Sequence, residues 1–311
     1  MEILRLGTRG SKLALWQAEY VKNAIEAAIP DLGIEIYIIK TTGDKILDVA
    51  LSKIGDKGLF TREIEKELLE ERIDIAVHSM KDLPSRLEEG FCIGAVLPRE
   101  NPQDVLISDI KGRLIDLPDG AVLGTSSLRR KAQIKYVRPD IQVVDLRGNV
   151  ETRIRKMKEE GMDGIILAYA GVKRLGYESL ISEYLDSDLL MPAAGQGAIA
   201  VEMRAVDPEV FAIIQMVNDE RTQIEVEAER SFLAELEGGC QVPIAAAADV
   251  RGENVILKGL VASLDGQDIL RAEMTGSKEQ AAQLGQELGR RLLDAGAGKI
   301  LDRIRHMGAS E

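Results

Sequence analysis

A chain of 311 residues, 45% of them apolar and 30% charged, can fill more than one hydrophobic core, so two or three soluble domains are expected. Its net charge of −12 argues against a general nucleic-acid surface, which needs a clustered excess of positive charge. Two cysteines without a framework point to a reducing cytoplasm, and two histidines without CxxC or HExxH spacing speak against a zinc site. No apolar run reaches the roughly 18 residues of a bilayer span. The opening segment Met1-Glu2-Ile3-Leu4-Arg5-Leu6-Gly7 enters a strand-like pattern without a signal-peptide core, so neither membrane nor export is expected.

Residues 2–6 read as a strand, and Ser11 is placed to cap a helix whose apolar stripe is Leu13, Trp16, Tyr20, Ala24 and Ala28. A β-branched strand follows at 34–39, then a Gly- and Lys-bearing loop at 41–60, long enough to be a lid or binding segment or to lack order. A helix over 61–71 with Ile64 and Leu68 on one face leads to a strand at 73–77. Cys92 lies in the apolar run Phe91 to Leu97, which reads as a buried strand in which the thiol is packing. Pro98, Asn101 and Pro102 mark a boundary, after which strands at 104–108, 121–124, 142–146 and 164–169 alternate with helices opening at Thr125-Ser126-Ser127 and at Glu151. Repeated βα units of this kind build mostly parallel sheets covered by helices. Met191 to Gly197 is hinge-like, with a strand at 199–203 beyond it. From about Asp219 the pattern changes to a helix, three strands at 244–250, 255–263 and 269–275, and a long amphipathic helix that Ser277 can cap. Asp265-Gly266 signals a type I′ hairpin within an antiparallel α+β domain.

Three clusters carry chemistry. Ser79, Lys81 and Asp82 follow the strand at 73–77, at the edge where open α/β sheets bind ligands; Asp82 can serve as acid, base or cation stabiliser, or simply as a helix cap. Gly124-Thr125-Ser126-Ser127-Leu128-Arg129-Arg130 sets hydroxyls and free N–H groups at a helix N-terminus with two arginines one turn on, the makings of a carboxylate or phosphate receptor. Leu146-Arg147-Gly148-Asn149-Val150 repeats the design. More arginines gather nearby at Arg138, Arg153, Arg155 and Arg174, so a small polyanion suits this acidic chain better than a polymer, unless these are solvated helix faces. Gly7-Thr8-Arg9-Gly10-Ser11-Lys12 has the wrong glycine spacing for a P-loop. Cys240, in Glu237-Gly238-Gly239-Cys240-Gln241-Val242-Pro243, sits on a turn where a thiol is available for chemistry, although a free cysteine more often behaves as a small hydrophobe.

Six segments together resemble the porphobilinogen deaminase family: Gly7 to Ala14, Lys57-Gly58-Leu59-Phe60, His78 to Pro84, Gly124 to Arg130, Leu146 to Val150 and Gly238 to Pro243. The resemblance implies a transferase of the tetrapyrrole (heme) pathway, in which Cys240 carries a dipyrromethane cofactor through a thioether. Four porphobilinogen units are then added in turn with loss of ammonia, and water releases the linear hydroxymethylbilane. It implies that Asp82 is the catalytic carboxylate, holding the charge of an azafulvenium-type cation. Arg9, Ser11, Lys81, Thr125, Ser127, Arg129, Arg130, Arg147, Arg153 and Arg174 would grip the acetate and propionate arms. Ser79, Gln196 and Phe60 would lie close by, and Lys53 and Lys57 on a lid loop. The fold it implies is two type II periplasmic-binding-protein-like βα domains plus a C-terminal antiparallel α+β domain: residues 1–98 with 198–218, 102–192 and 220–311. Porphobilinogen as a small-molecule substrate, no metal, no nucleic acid, no membrane and a monomer complete the expectation. The rival reading is a non-catalytic small-anion binder of the same binding-protein class, which explains the βα domains but not a cysteine on a loop of a third domain.

Overall fold

The computed structural model describes residues 1–45, 61–110, 112–237 and 242–308. In chain order the elements are β1 (Ile3–Thr8), α1 (Lys12–Ala28), β2 (Gly33–Ile38), α2 (Thr42–Lys45), α3 (Arg62–Leu69), β3 (Ile75–Ser79) and β4 (Phe91–Val96). Then come β5 (Asp104–Ile107), β6 (Val122–Gly124), α4 (Leu128–Val137), β7 (Gln142–Val144), α5 (Val150–Glu159), β8 (Gly164–Ala168), α6 (Tyr169–Arg174) and β9 (Ile181–Leu185). The chain closes with β10 (Ile199–Arg204), α7 (Pro208–Gln215), α8 (Glu220–Glu235), β11 (Ile244–Arg251), β12 (Asn254–Ala262), β13 (Ile269–Ser277), α9 (Ala281–Leu292) and α10 (Gly298–Gly308).

These elements form two compact units, one of residues 1–45, 61–100 and 197–224, the other of residues 101–196 and 225–308. The first unit holds a five-stranded sheet in the order β2-β1-β3-β10-β4. β1 runs parallel to β2 and β3, whereas β10 runs antiparallel to β3 and β4. The five-stranded sheet of the second unit has the order β7-β6-β8-β5-β9, with β6 parallel to β7 and β8 and β5 antiparallel to β8 and β9. The two sheets thus share one plan, in which the fourth strand is contributed from elsewhere in the sequence and runs against its neighbours. That β10 returns to the first sheet agrees with the family expectation. The fold class holds as well: two βα domains, and a third antiparallel sheet β11-β12-β13.

The period of α1 is helical, but its buried face is Gln17, Ala18, Val21 and Ile25. Trp16 and Tyr20, expected inside, are 38% exposed and stack on one another with ring centroids 5.3 Å apart. The smaller residues of the opposite register let the helix approach the sheet, where they join Leu4, Leu6, Ile75, Val77, Ile199 and Val201 in one core. Cys92 is half-buried in β4 and packs against that core, and burial pushes its thiol above the ordinary value. The β12–β13 hairpin forms, but only Gly266 of Asp265-Gly266 has positive φ, at 72°, so the turn is not type I′. Ser263 and Asp268 close a longer loop instead, through a 2.8 Å bond from the Ser263 N–H. Ser277 makes no side-chain cap.

The antiparallel sheet packs on α4 through Ala132, Met191, Ala245, Leu260 and Ala262, where three alanines allow close contact and Met191 and Leu260 fill the space between. α8 and α9 cover the same sheet, and Phe232 is completely buried.

Candidate functional site

In the first unit the chemistry gathers beyond the C-terminal ends of β1 and β3. Ser11 caps α1, its hydroxyl accepting the Ala14 N–H at 3.2 Å, so a 17-residue helix points its N-terminal dipole at this edge. Where β3 ends, Ser79 opens a single 3₁₀ turn, Met80–Asp82. The turn is pinned at its base: the Met80 N–H donates to Ala198 O at 3.0 Å, and the Leu83 N–H to Met80 O at 3.2 Å. Met80 is buried and Asp82 is exposed beside the pocket it lines. Gln17 locks the Ser79 hydroxyl, donating through Nε2 at 2.9 Å. A small, partly open pocket of about 60 Å³ is lined by Arg9, Ser11, Gln17, His78, Ser79 and Asp82. Lys81 is on the same turn, half-buried.

In the second unit two strand–helix junctions lie side by side. Ser126 joins them, donating from Oγ to Leu146 O at 3.1 Å and accepting the Leu146 N–H at 3.0 Å. Ser127 caps α4 and Asn149 caps α5, accepting the N–H groups of Arg130 and Thr152. Thr125 is buried, and its hydroxyl accepts the Ser127 N–H at 3.3 Å. Arg153 donates from Nε to Gly148 O at 2.7 Å, bending its side chain back toward the junction. Gly148 must be glycine there, because its φ is 121° and a Cβ would stand 2.6 Å from Thr152 Cγ2. Arg147 is half-buried, and burial pushes its guanidinium below the ordinary value while Asp145 pulls the other way. One of its terminal nitrogens is buried without a hydrogen-bond partner. Arg174 ends α6, also half-buried.

Arg129 and Arg130 have an internal task that sequence reading did not assign. Both are 5% exposed and converge on the carboxylate of Asp104, which no solvent reaches, at 2.8 Å and 2.7 Å. Arg129 also donates to Met191 O and Arg130 to Ile166 O, and Gln196 donates to Asp104 at 2.9 Å. Burial alone would push the Asp104 carboxyl up. The two guanidiniums and the bonds from Arg130 and Gln196 overrule it and hold the carboxyl well below the usual carboxylate range. Two cations share one anion, so the cluster keeps one net positive charge at the base of α4. Arg138 and Arg155, counted among the central arginines, do other work. Arg138 donates to the Leu114, Ile115, Leu117 and Pro118 carbonyls and pairs with Asp140, and Arg155 pairs on the surface with Glu159.

Asp104 was missed because one acidic residue opening an apolar strand reads as a strand end; its only sequence signal is the charge directly before Val105-Leu106-Ile107. Lys53, Lys57, Phe60 and Cys240 lie outside the described residues. Among the described residues, no three or more His, Cys, Asp or Glu are arranged to hold a metal ion, and no helix is long and apolar enough to cross a membrane.

Two family models match the chain. "Porphobilinogen deaminase, dipyromethane cofactor binding domain" covers residues 4–212, and "Porphobilinogen deaminase, C-terminal domain" covers residues 223–294. A porphobilinogen deaminase of Syntrophomonas wolfei is 59% identical over 305 residues, spanning 98% of this chain and 100% of the relative. One of Carboxydothermus hydrogenoformans is 53% identical over 300 residues, spanning 96% of each. Among solved structures, the periplasmic VFT2 domain of Bordetella pertussis BvgS aligns with a TM-score of 0.43 at 12% identity, over 70% of this chain and 86% of that one.

Proposed function

The chain belongs to the porphobilinogen deaminase family, and from that premise we propose that it joins porphobilinogen units head to tail on a dipyrromethane primer held by Cys240. Each condensation releases ammonia, and water finally frees a linear hydroxymethylbilane. The observation that carries this reading is the pocket beyond β3, where a single carboxylate, Asp82, stands among Arg9, Ser11 and Ser79. As ammonia departs, positive charge develops on the substrate pyrrole. A fixed carboxylate in a pocket stabilises that charge without reorganising, and can move a proton. Arg9 and the Ser11-capped N-terminus of α1 suit a substrate carboxylate.

A primer with acetate and propionate arms needs cationic donors that are not already satisfied, since an unpaired buried carboxylate is costly. The partnerless buried nitrogen of Arg147 meets that requirement. Arg147, Arg153, Thr125 and Ser127 would hold the arms, with Lys81 and Arg174 as further cations and the net charge of the Arg129–Arg130–Asp104 cluster behind them. When bound, the primer supplies a nucleophilic pyrrole carbon. By the family resemblance Lys53, Lys57 and Phe60 would also serve the reaction, and Gln196 belongs to the Asp104 cluster, to which it donates at 2.9 Å. The protein works as a cytoplasmic monomer on a small molecule, not on nucleic acid, in keeping with a net charge of −12. Its domains comprise residues 1–98 with 198–218, 102–192 and 220–311.

Intact mass and turnover test the assignment. The purified chain should carry a covalent adduct that Cys240→Ala removes. Asp82→Asn should keep substrate binding while losing about 100-fold or more in kcat. A bare polypeptide mass after incubation with porphobilinogen, or near-normal turnover by Asp82→Asn, would sink the reading.

A further inference from the structure

Beneath the Asp82 pocket lies a second set of ionisable groups. Ala76 and His78 of β3, with Glu202 of β10, point to the sheet face opposite Ile75, Val77 and Val201, the face covered by α3. Glu202 is completely buried, His78 is 7% exposed, and Glu65 reaches in from α3 at 4%. The ladder between β10 and β4 slips by one residue between Val201 and Glu202, leaving Gly94 as the extra residue of a bulge, a device that re-aims side chains. His78 Nε2 stands 3.0 Å from Glu202 Oε2, yet off the line of a hydrogen bond, and neither Glu202 oxygen has a hydrogen-bond partner.

A buried carboxylate with no hydrogen bonds is expensive unless a proton or cation stays close by. Arg204, two residues along β10, donates instead to the Leu68 and Ile73 carbonyls and pairs with Asp207. The imidazole is therefore the group at hand, and it also lines the pocket that holds Asp82. Glu202 makes itself felt around it: burial first, and then the Glu202 charge, raise both the Glu65 carboxyl and the Cys92 thiol. Among the described residues, further charged groups here include Glu88, before β4, and Lys81 and Asp82, on the turn after β3.

We propose that His78 and Glu202 form a buried proton-accepting pair at the floor of the Asp82 pocket, with Glu202 a positioning residue that acts through the imidazole. This rests on the family reaction. In each condensation a bond forms between the aminomethyl carbon of one pyrrole and the α-carbon of another, and the C–N bond breaks with its electron pair leaving on ammonia. The α-carbon then loses its proton, the C–H electron pair restoring the aromatic ring. That proton passes to the His78 imidazole, where the Glu202 carboxylate stabilises the cation, and then to the departed ammonia as ammonium. Carboxylate–imidazole pairs are well suited to such brief proton storage.

The test combines kinetics of the cofactor-loaded protein with imidazole NMR. The chain has only two histidines, so His306→Gln assigns His78 directly. Glu202→Gln should lower kcat by about 10- to 100-fold, leave KM within about two-fold, and displace one limb of the kcat pH profile. Glu202→Asp should restore part of the rate, and His78→Gln should add little to the loss in Glu202→Gln. In the NMR spectrum the His78 ring signals, and not those of His306, should move in Glu202→Gln. A pH profile superimposable on the wild type, whether at full rate or with a loss matched by lower thermal stability, assigns the pair a purely structural role and overturns the proposal. Failure of the wild-type chain to make product would instead overturn the family reaction itself.

Discussion

Asp104 shows what burial does to one charge. Placed inside a sheet alone, its carboxylate would be protonated; placed between Arg129 and Arg130 it stays ionised far into acid. Its folded-state value is depressed, so the stabilisation is fully present above the ordinary unfolded carboxylate value and is lost as the pH falls through the folded one. Asp104→Asn should therefore cost about 3–5 kcal/mol at neutral pH, by leaving two buried guanidiniums opposite a neutral amide. The loss should shrink as denaturation midpoints are measured at lower pH. A constant difference from pH 7 down to the acid transition would refute this account. The caps were partly legible: Ser11 accepts the expected N–H group and Ser127 caps the helix that Thr125-Ser126-Ser127 opens, whereas Ser277 makes no side-chain cap. The Asp104 cluster was not, because its four members are separated by up to 92 residues and no local pattern joins them.

At the scale of the element, periodicity located helices and strands better than it oriented them. α1 offers two apolar stripes, and the one carrying Trp16 and Tyr20 looks the stronger by hydrophobicity. The sheet selects the one carrying Ala18, Val21 and Ile25 because packing distance, not transfer energy, decides the register. α9 shows the same rule from the other side. A Cβ on Gly285 would stand 2.3 Å from Ala228 O and 2.7 Å from Phe232 N, so α9 and α8 touch backbone to backbone. Helix propensity favours alanine over glycine by about 1 kcal/mol. Overpacking against main-chain atoms that cannot rotate away costs about 1–3 kcal/mol. The steric effect wins, and Gly285→Ala should lower the urea midpoint. A rise would mean that the helices separate at little cost.

Across the whole molecule, the common strand order of the two large sheets comes from chain segments that leave one βα series and join another. Nothing in the local sequence of β10 announces its partners, since an apolar strand pairs equally well in either sheet; the family resemblance alone anticipated its return. What could be read was the alternation of elements and the switch to antiparallel pairing after α8. The link between the second βα domain and the antiparallel sheet depends on another buried charge. Glu229 of α8 is fully buried, and its two oxygens accept the Gly195 N–H at 2.7 Å and the Ala248 N–H at 2.8 Å. One carboxylate thus ties together a helix, the segment before β10 and strand β11. Hydrogen bonds to a charged group are worth about 1.5–3 kcal/mol each, so Glu229→Ala should destabilise the chain by about 3–5 kcal/mol. Glu229→Gln, which keeps one carbonyl acceptor, should lose about half as much. If the bond network couples the domains, calorimetry of Glu229→Ala should show the single transition splitting, with the antiparallel sheet melting first. A lower but still single transition would mean that the apolar contact of Ala132 with Leu260 and Ala262 suffices to hold them together.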